Sequence, residues 1–187
     1  VAASSLIGAS GKTVLIAFRM TAAATDNANI YQNSALICDE LAYFGLHLKS
    51  SGGTHQLFGY NYDGSVDSTS AISLNLDTDY VAMIRHNGTT LSLSLLSGTA
   101  GSTRVDQSVA SGATQVLTAM LRVGRSYQTH CFTGAIGEIY IDNSDLGSTN
   151  SALTDIVGRW LPAAASGGPA PFHRNRLMSG GMQKMGM

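Results

Sequence analysis

Residues 79–97, DYVAMIRHNGTTLSLSLLS, leave the chain little choice of fold class. Leu91, Leu93 and Leu95 alternate with Thr90, Ser92 and Ser94. That period of two is a strand with one packed face and one wet face. Asp79 to His86 is a second, more apolar strand, and Asn87-Gly88 joins the two. Asn-Gly suits a tight hairpin because both central residues of a type I′ turn need positive φ. The two strands are therefore antiparallel. A lone hairpin is marginal in water, so the rest of the chain must supply more strands to cover it.

It offers several. Thr13 to Met20 reads as a strand with Val14, Ile16, Phe18 and Met20 on one face. Ile30 to Cys38 and Ala42 to Leu48 read as strands split at Asp39-Glu40, and Gln56 to Tyr62 as another. Thr21 to Asn29 is small and polar, a loop, and Ser50 to Thr54 is a turn. Asp63-Gly64 is a second type I′ signal, and Ser65 to Leu76 looks irregular. Val105 to Val109 and Gln115 to Val123 are further strands. From Phe132 to Asp142 large apolar groups occur at both parities, which predicts a long central strand buried on at least one face and partly on the other. Only Ser151 to Leu161 has helical spacing, with Leu153, Ile156, Val157, Trp160 and Leu161 in one stripe. Asn150 or Ser151 caps its start and Pro162 ends it. Roughly ten short strands at spacings of about 8–12 residues with one late helix imply an all-β antiparallel sandwich.

Composition agrees. Charged residues make up 12% of the 187, where about 25% is usual. Ser, Thr, Gly and Asn fill the wet faces instead. A net charge of −1 gives no field to attract nucleic acid, and no run of about 18 apolar residues could insert in a membrane. The first residue is Val1, and no signal peptide is visible. Cys38 and Cys131 both fall in predicted strands. Two buried free thiols fit that placement, and a disulfide is the alternative.

Residues 1–162 read as one sandwich domain and 163–187 as an extended arm. The arm, AASGGPAPFHRNRLMSGGMQKMGM after Ala163, has no periodicity and cannot bury enough surface to fold alone. Its Gly/Pro spacer gives reach. Phe172, Arg174, Arg176, Met178, Met182 and Met185 suit docking on a partner, because methionine adapts to apolar grooves and arginine pairs with carboxylates. The same segment could equally be a terminus without a role.

Three features together resemble the concanavalin A-like, laminin G-like jelly roll. They are the hairpin 79–98, the apolar-x-apolar-Gly of LRVGRS, and FTGAIGEIYIDNSDL followed by a short amphipathic helix ending in Trp160-Leu161. Order and spacing match from about Thr13 to Leu161, but the opening strand before Thr13 is reduced. The resemblance implies the fold and leaves the function open, since the fold serves lectins, glycosidases, adhesion modules and virion proteins. Domains of this kind are similar to those of bacteriophage virion proteins, in head decorations and tail appendages. That implies a non-enzymatic structural or adhesion protein, homo-oligomeric, whose arm contacts other virion subunits and whose sandwich faces a host-surface glycan. A secreted carbohydrate-binding module and a glycoside hydrolase are the alternatives.

The residues carry little catalytic signal. Glycosidases of this fold carry Glu-x-Asp-x-x-Glu on one strand, and this chain has Glu138 and Asp142 with Tyr140 between. Four residues of strand separate the pair by roughly 13 Å, wider than the ~5–9.5 Å that hydrolysis uses. His47, His55, His86, His130 and His173 show no metal spacing. The resemblance makes calcium a possible cofactor. Asn61, Asp63 and Asp67 form the one oxygen-rich loop, although Asp and Gly are also what a turn wants. Phe58, Tyr60 and Tyr62 share a strand face and are the candidate stacking platform for a sugar.

Overall fold

A computed structural model describes residues 11–27, 29, 32–39, 44–113, 121–126 and 130–163. They form an antiparallel β-sandwich with one helix on its outside. One sheet has the order β11-β1-β7-β8-β9, built from Gly134–Asp142, Lys12–Met20, Asp79–His86, Thr90–Ser97 and Thr103–Ala110. The other has the order β10-β2-β3-β4-β5, from Leu121–Val123, Ser34–Asp39, Phe44–Ser51, Thr54–Tyr62 and Val66–Ser68. The short β6 (Ile72–Leu74) pairs β4 beside β5.

The main core lies between the sheets. Val14, Ile16, Phe18 and Met20 of β1 meet Ala82 and Ile84 of β7, Leu91, Leu93 and Leu95 of β8, and Phe44, Leu46, Leu48 and Leu57 of the facing sheet. Each such side chain contributes about 1.5–3 kcal/mol when taken from water. A second cluster lies on the other side of the five-stranded sheet. There Leu153, Ile156 and Leu161 pack on Leu15, Ala17, Val81, Met83 and Leu96. So β1 and β7 are covered on both faces, which is why they read as nearly unbroken apolar runs.

The helix α1 spans Ser151–Trp160, and the Asn150 Oδ1 caps it by accepting from the Leu153 N–H at 2.8 Å. It is held down at its far end. Trp160 lies so close over Gly137 that a Cβ there would stand 2.5 Å from the indole. No helix among the described residues is long and apolar enough to cross a membrane.

Several expectations are corrected. β11 is an edge strand, not a central one. Its apolar groups occur at both parities for two local reasons. Tyr140 packs under the helix, and an extra residue between Ile136 and Ile139, opposite Ile16 to Phe18, returns Ile136 to the core side. Residues 65–76 contain two short strands, and β9 runs its full eight residues. The Asp63 turn is a three-residue loop closed at Tyr62 and Val66, with positive φ at Gly64 and not at Asp63. Gln32 and Asn33 precede β2, so that strand starts at Ser34. Cys38 is buried as expected, but Cys131 is exposed, and neither forms a disulfide. The reduced opening strand, most of Gln115 to Val123, and the arm lie outside the described residues.

Candidate functional site

The register of β7, β8 and β9 builds a polar trough beside the helix. Arg85 pairs Ser92, which pairs Ser108, and Ser94 pairs Asp106 in the next outward row. Serines are short, so this part of the sheet stays low while the helix raises a wall where Leu96, Val81 and Met83 lie. The loop before the helix supplies Ser148 and Thr149. Together they enclose a groove of about 610 Å³, in the range of small-ligand sites.

Two arginines frame it. Arg104 Nε donates to both oxygens of Asp106 at 2.9 Å. Its Nη1 donates to the Ser148 carbonyl at 3.0 Å and its Nη2 to Ser94 Oγ at 3.2 Å. It thus ties the edge strand to the loop that carries the helix. Arg85 Nη1 donates to Asp145 at 2.7 Å, while its Nε is buried without a hydrogen-bond partner. The groove therefore offers hydroxyls and guanidinium groups whose charges are balanced by carboxylates. That is a surface for a hydroxylated ligand rather than for an ion.

A second polar group lies between the sheets at one end of the sandwich. Counting by twos from the core puts Lys12, Asp39, Asn61 and His86 inside, and all four are 0% exposed. The Asn61 Nδ2 donates to Ser111 Oγ at 2.7 Å and to the Gly112 carbonyl at 3.1 Å. Ser111 Oγ donates to Asp67 at 2.8 Å, and the Gly112 N–H to Asp63 Oδ2 at 2.7 Å. His86 Nδ1 accepts the Gly88 N–H at 3.0 Å, so its Nε2–H donates to the Ser111 carbonyl at 3.2 Å.

The expected calcium residues are thus brought together. Asn61, Asp63 and Asp67 tie the 111–112 loop to the β4–β5 hairpin. Hydrogen bonds from Ser65, first its amide and then its hydroxyl, and from the Gly112 amide hold the Asp63 carboxyl below the usual carboxylate range. Among the described residues no group of three or more His, Cys, Asp or Glu side chains is placed to hold a metal ion.

Phe58, Tyr60 and Tyr62 share the outer face of the six-stranded sheet, as their spacing predicts. They do not form an open row. Tyr60 is 3% exposed and lies edge-on to His47, with ring centroids 5.4 Å apart, while Phe58 and Tyr62 are half-buried. His47 is itself fully buried with both ring nitrogens unpartnered. Burial pushes its pKa down to about 4.

Glu138 serves the helix. Arg159 donates to its two oxygens at 3.0 and 2.7 Å, and the Trp160 Nε1–H donates at 3.1 Å. Arg159 first, then Trp160, hold this carboxyl below its usual range. Asp142 accepts from Ser144 and from the Tyr140 hydroxyl. The arm residues Phe172, Arg174, Arg176, Met178, Met182 and Met185 lie outside the described residues.

No family model matches this sequence, and no curated protein matches it. Solved structures do resemble it. The full-length tailspike protein 2 of an Escherichia coli O157:H7 bacteriophage superposes with a TM-score of 0.58 at 13% identity, over 87% of this chain and 24% of that one. The enzymatically active domain of bacteriophage CBA120 tailspike protein 2 gives 0.54 at 15% identity, over 82% and 24%. The LG1-3 region of the laminin alpha2 chain gives 0.48 at 19%, over 76% and 30%. The chain spans about a quarter of the tailspike chains it resembles. At these identities the likeness establishes a β-sandwich of the kind phage tailspikes contain.

Proposed function

We propose that this chain is a non-catalytic structural or adhesion module of a bacteriophage particle. Its sandwich is displayed outward, its segment 163–187 anchors it to other subunits, and its hydroxyl-lined groove takes a host-surface saccharide. The groove carries the reading: Ser92, Ser94, Ser108 and Thr149 offer paired donors and acceptors in one groove of about 610 Å³. The likeness to two tailspike chains supports the setting. The test is binding of the full chain to an array of bacterial surface polysaccharides. Ser92→Trp, which fills the groove from an outward position, is expected to abolish binding with the circular-dichroism spectrum unchanged. Tyr62→Ala is expected to retain it. The opposite pattern would move the site to the other sheet.

Anchoring is tested by light scattering on the full chain and on an Arg174→Ser, Arg176→Ser double variant. The arm reading expects an assembly that the double variant loses. Identical monomers would favour a secreted carbohydrate-binding module, which shares the same groove. The hydrolase reading requires Glu138 or Asp142 to act on substrate. It expects saccharide cleavage that Glu138→Gln abolishes.

A further inference from the structure

Lys12 is fully buried between the two sheets. Its Nζ lies 4.7 Å from the centroid of the Phe44 ring. Phe44 begins β3, and its two flanks are chemically distinct. On one side is Asp39, at the end of β2, whose Oδ1 accepts the Phe44 N–H at 2.9 Å. On the other side is Asn61 of β4, directly opposite Phe44 in the ladder. Side chains in such a pair stand about 5 Å apart. An amine, a carboxyl and a carboxamide, all 0% exposed, therefore converge around one aromatic ring. A lysine's four-carbon stem lets Nζ swing to either flank. Both hydrogens of the Asn61 amide are engaged, by Ser111 and Gly112, which fixes its plane.

We propose that Lys12 and Asn61 become joined by an amide bond between Nζ and Cγ, with Asp39 as the proton-transfer group. Burial lowers the Lys12 pKa to about 7, against an opposing effect of Asp39. A large share of the amine is then neutral near neutral pH, and only the neutral amine is a nucleophile. Lys12 Nζ first hands its extra proton to the Asp39 carboxylate; the Nζ lone pair then forms the new bond to Asn61 Cγ, and the carbonyl π pair moves to Oδ1, to which Asp39 donates a hydrogen bond. Asp39 then gives that proton to Nδ2 while its other oxygen takes one from Nζ. The carbonyl re-forms, the Cγ–Nδ2 bond breaks, and ammonia leaves. Nothing is oxidised or reduced, and Asp39 is regenerated. The product ties β1 of one sheet to β4 of the other at the end of the core. The inference is independent of what the groove binds.

The test is the intact mass of the purified, denatured full chain, followed by a peptide map. The expected chain is lighter than its sequence by one ammonia, and the map contains one branched peptide joining Lys12 to Asn61. Asp39→Asn and Lys12→Met are expected to restore the full mass. A folded wild-type chain at its full calculated mass overturns the proposal. So does loss of water in place of ammonia, or an ammonia loss that maps to a succinimide at Asn87-Gly88. The wild-type measurement decides even where a variant does not fold.

Discussion

Replacing His47 by Phe should remove much of the protein's sensitivity to mild acid without weakening it at neutral pH. His47 lies on β3 opposite Ala35 of β2 and Phe58 of β4, edge-on to Tyr60, and is 0% exposed. Neither ring nitrogen has a hydrogen-bond partner. A buried polar group left unpaired costs about 1–3 kcal/mol, so the neutral imidazole is already a liability and Phe is not. Protonation is worse, and burial lowers the ring's pKa from 6.5 to about 4. Above pH 6.5 the folded and unfolded states both hold a neutral ring, and the group contributes no pH dependence. Between 6.5 and about 4 the unfolded chain takes a proton that the folded chain refuses, so stability falls with pH across that window. At about 1.4 kcal/mol per pH unit the loss amounts to about 3 kcal/mol. Urea unfolding at pH 7, 5.5 and 4.5 on wild type and His47→Phe measures it, since carboxylates contribute equally to both. The difference in unfolding free energy should widen by about 2.5 kcal/mol between pH 7 and 4.5. Equal acid loss in both proteins would refute the reasoning, because His47 would then be solvated or hydrogen-bonded.

Other perturbations act on the helix and the loops. Gly137→Ala places a Cβ 2.5 Å from the Trp160 ring. It should cost about 1–3 kcal/mol and shift the fluorescence of the single tryptophan to the red. Asn150→Ala removes the cap on α1 and should lower stability by about 1 kcal/mol in thermal unfolding. Glu138→Gln weakens an ion pair whose members are 54% and 35% exposed. It should cost less than about 1 kcal/mol and leave saccharide binding as it was. Gly112→Ala sets a Cβ 2.4 Å from an Asp63 oxygen and should free the 111–112 loop, read as faster amide exchange at position 112 and at Ser65.

The sandwich was legible because its strands carry their own punctuation. Asn87-Gly88 marked the β7–β8 hairpin, although only Gly88 takes the positive φ that a type I′ turn asks of both central residues, and Asn150 with a stripe at helical spacing marked α1. The place of β11 was not legible, because a strand covered by a helix and a strand covered by a second sheet read alike. The groove was invisible for another reason. Ser92, Ser94 and Ser108 look like any wet serines, and only the β8–β9 register sets them side by side with Arg85 and Arg104. The polar end of the core did leave a trace. Counting by twos back from Val14, and forward from Ile84 and Leu57, places Lys12, His86 and Asn61 inward. At strand ends, beside turns, polar residues such as these carry no sign in the sequence that they face inward.

The two polar sites differ in a way that assigns them different work. The groove lies on the outer face of the sheet, where a helix on one side and Arg104 on the other hold it open, and its small hydroxyls demand nothing of the core. The end cluster lies inside, where each charged or amide group must be satisfied by another or cost stability. A recognition surface can change its residues without unfolding the chain, because Ser to larger polar groups only fills the trough. Lys12, Asp39 and Asn61 have no such freedom: all three are 0% exposed, and removing one leaves the others without the polar group they face, at about 1–3 kcal/mol for each unsatisfied group. On the proposed function, binding specificity and structural integrity are thereby separated in this sandwich. The outward serine rows would then be the place to alter a bound ligand, and the inward residues at the strand ends decide whether the fold holds together.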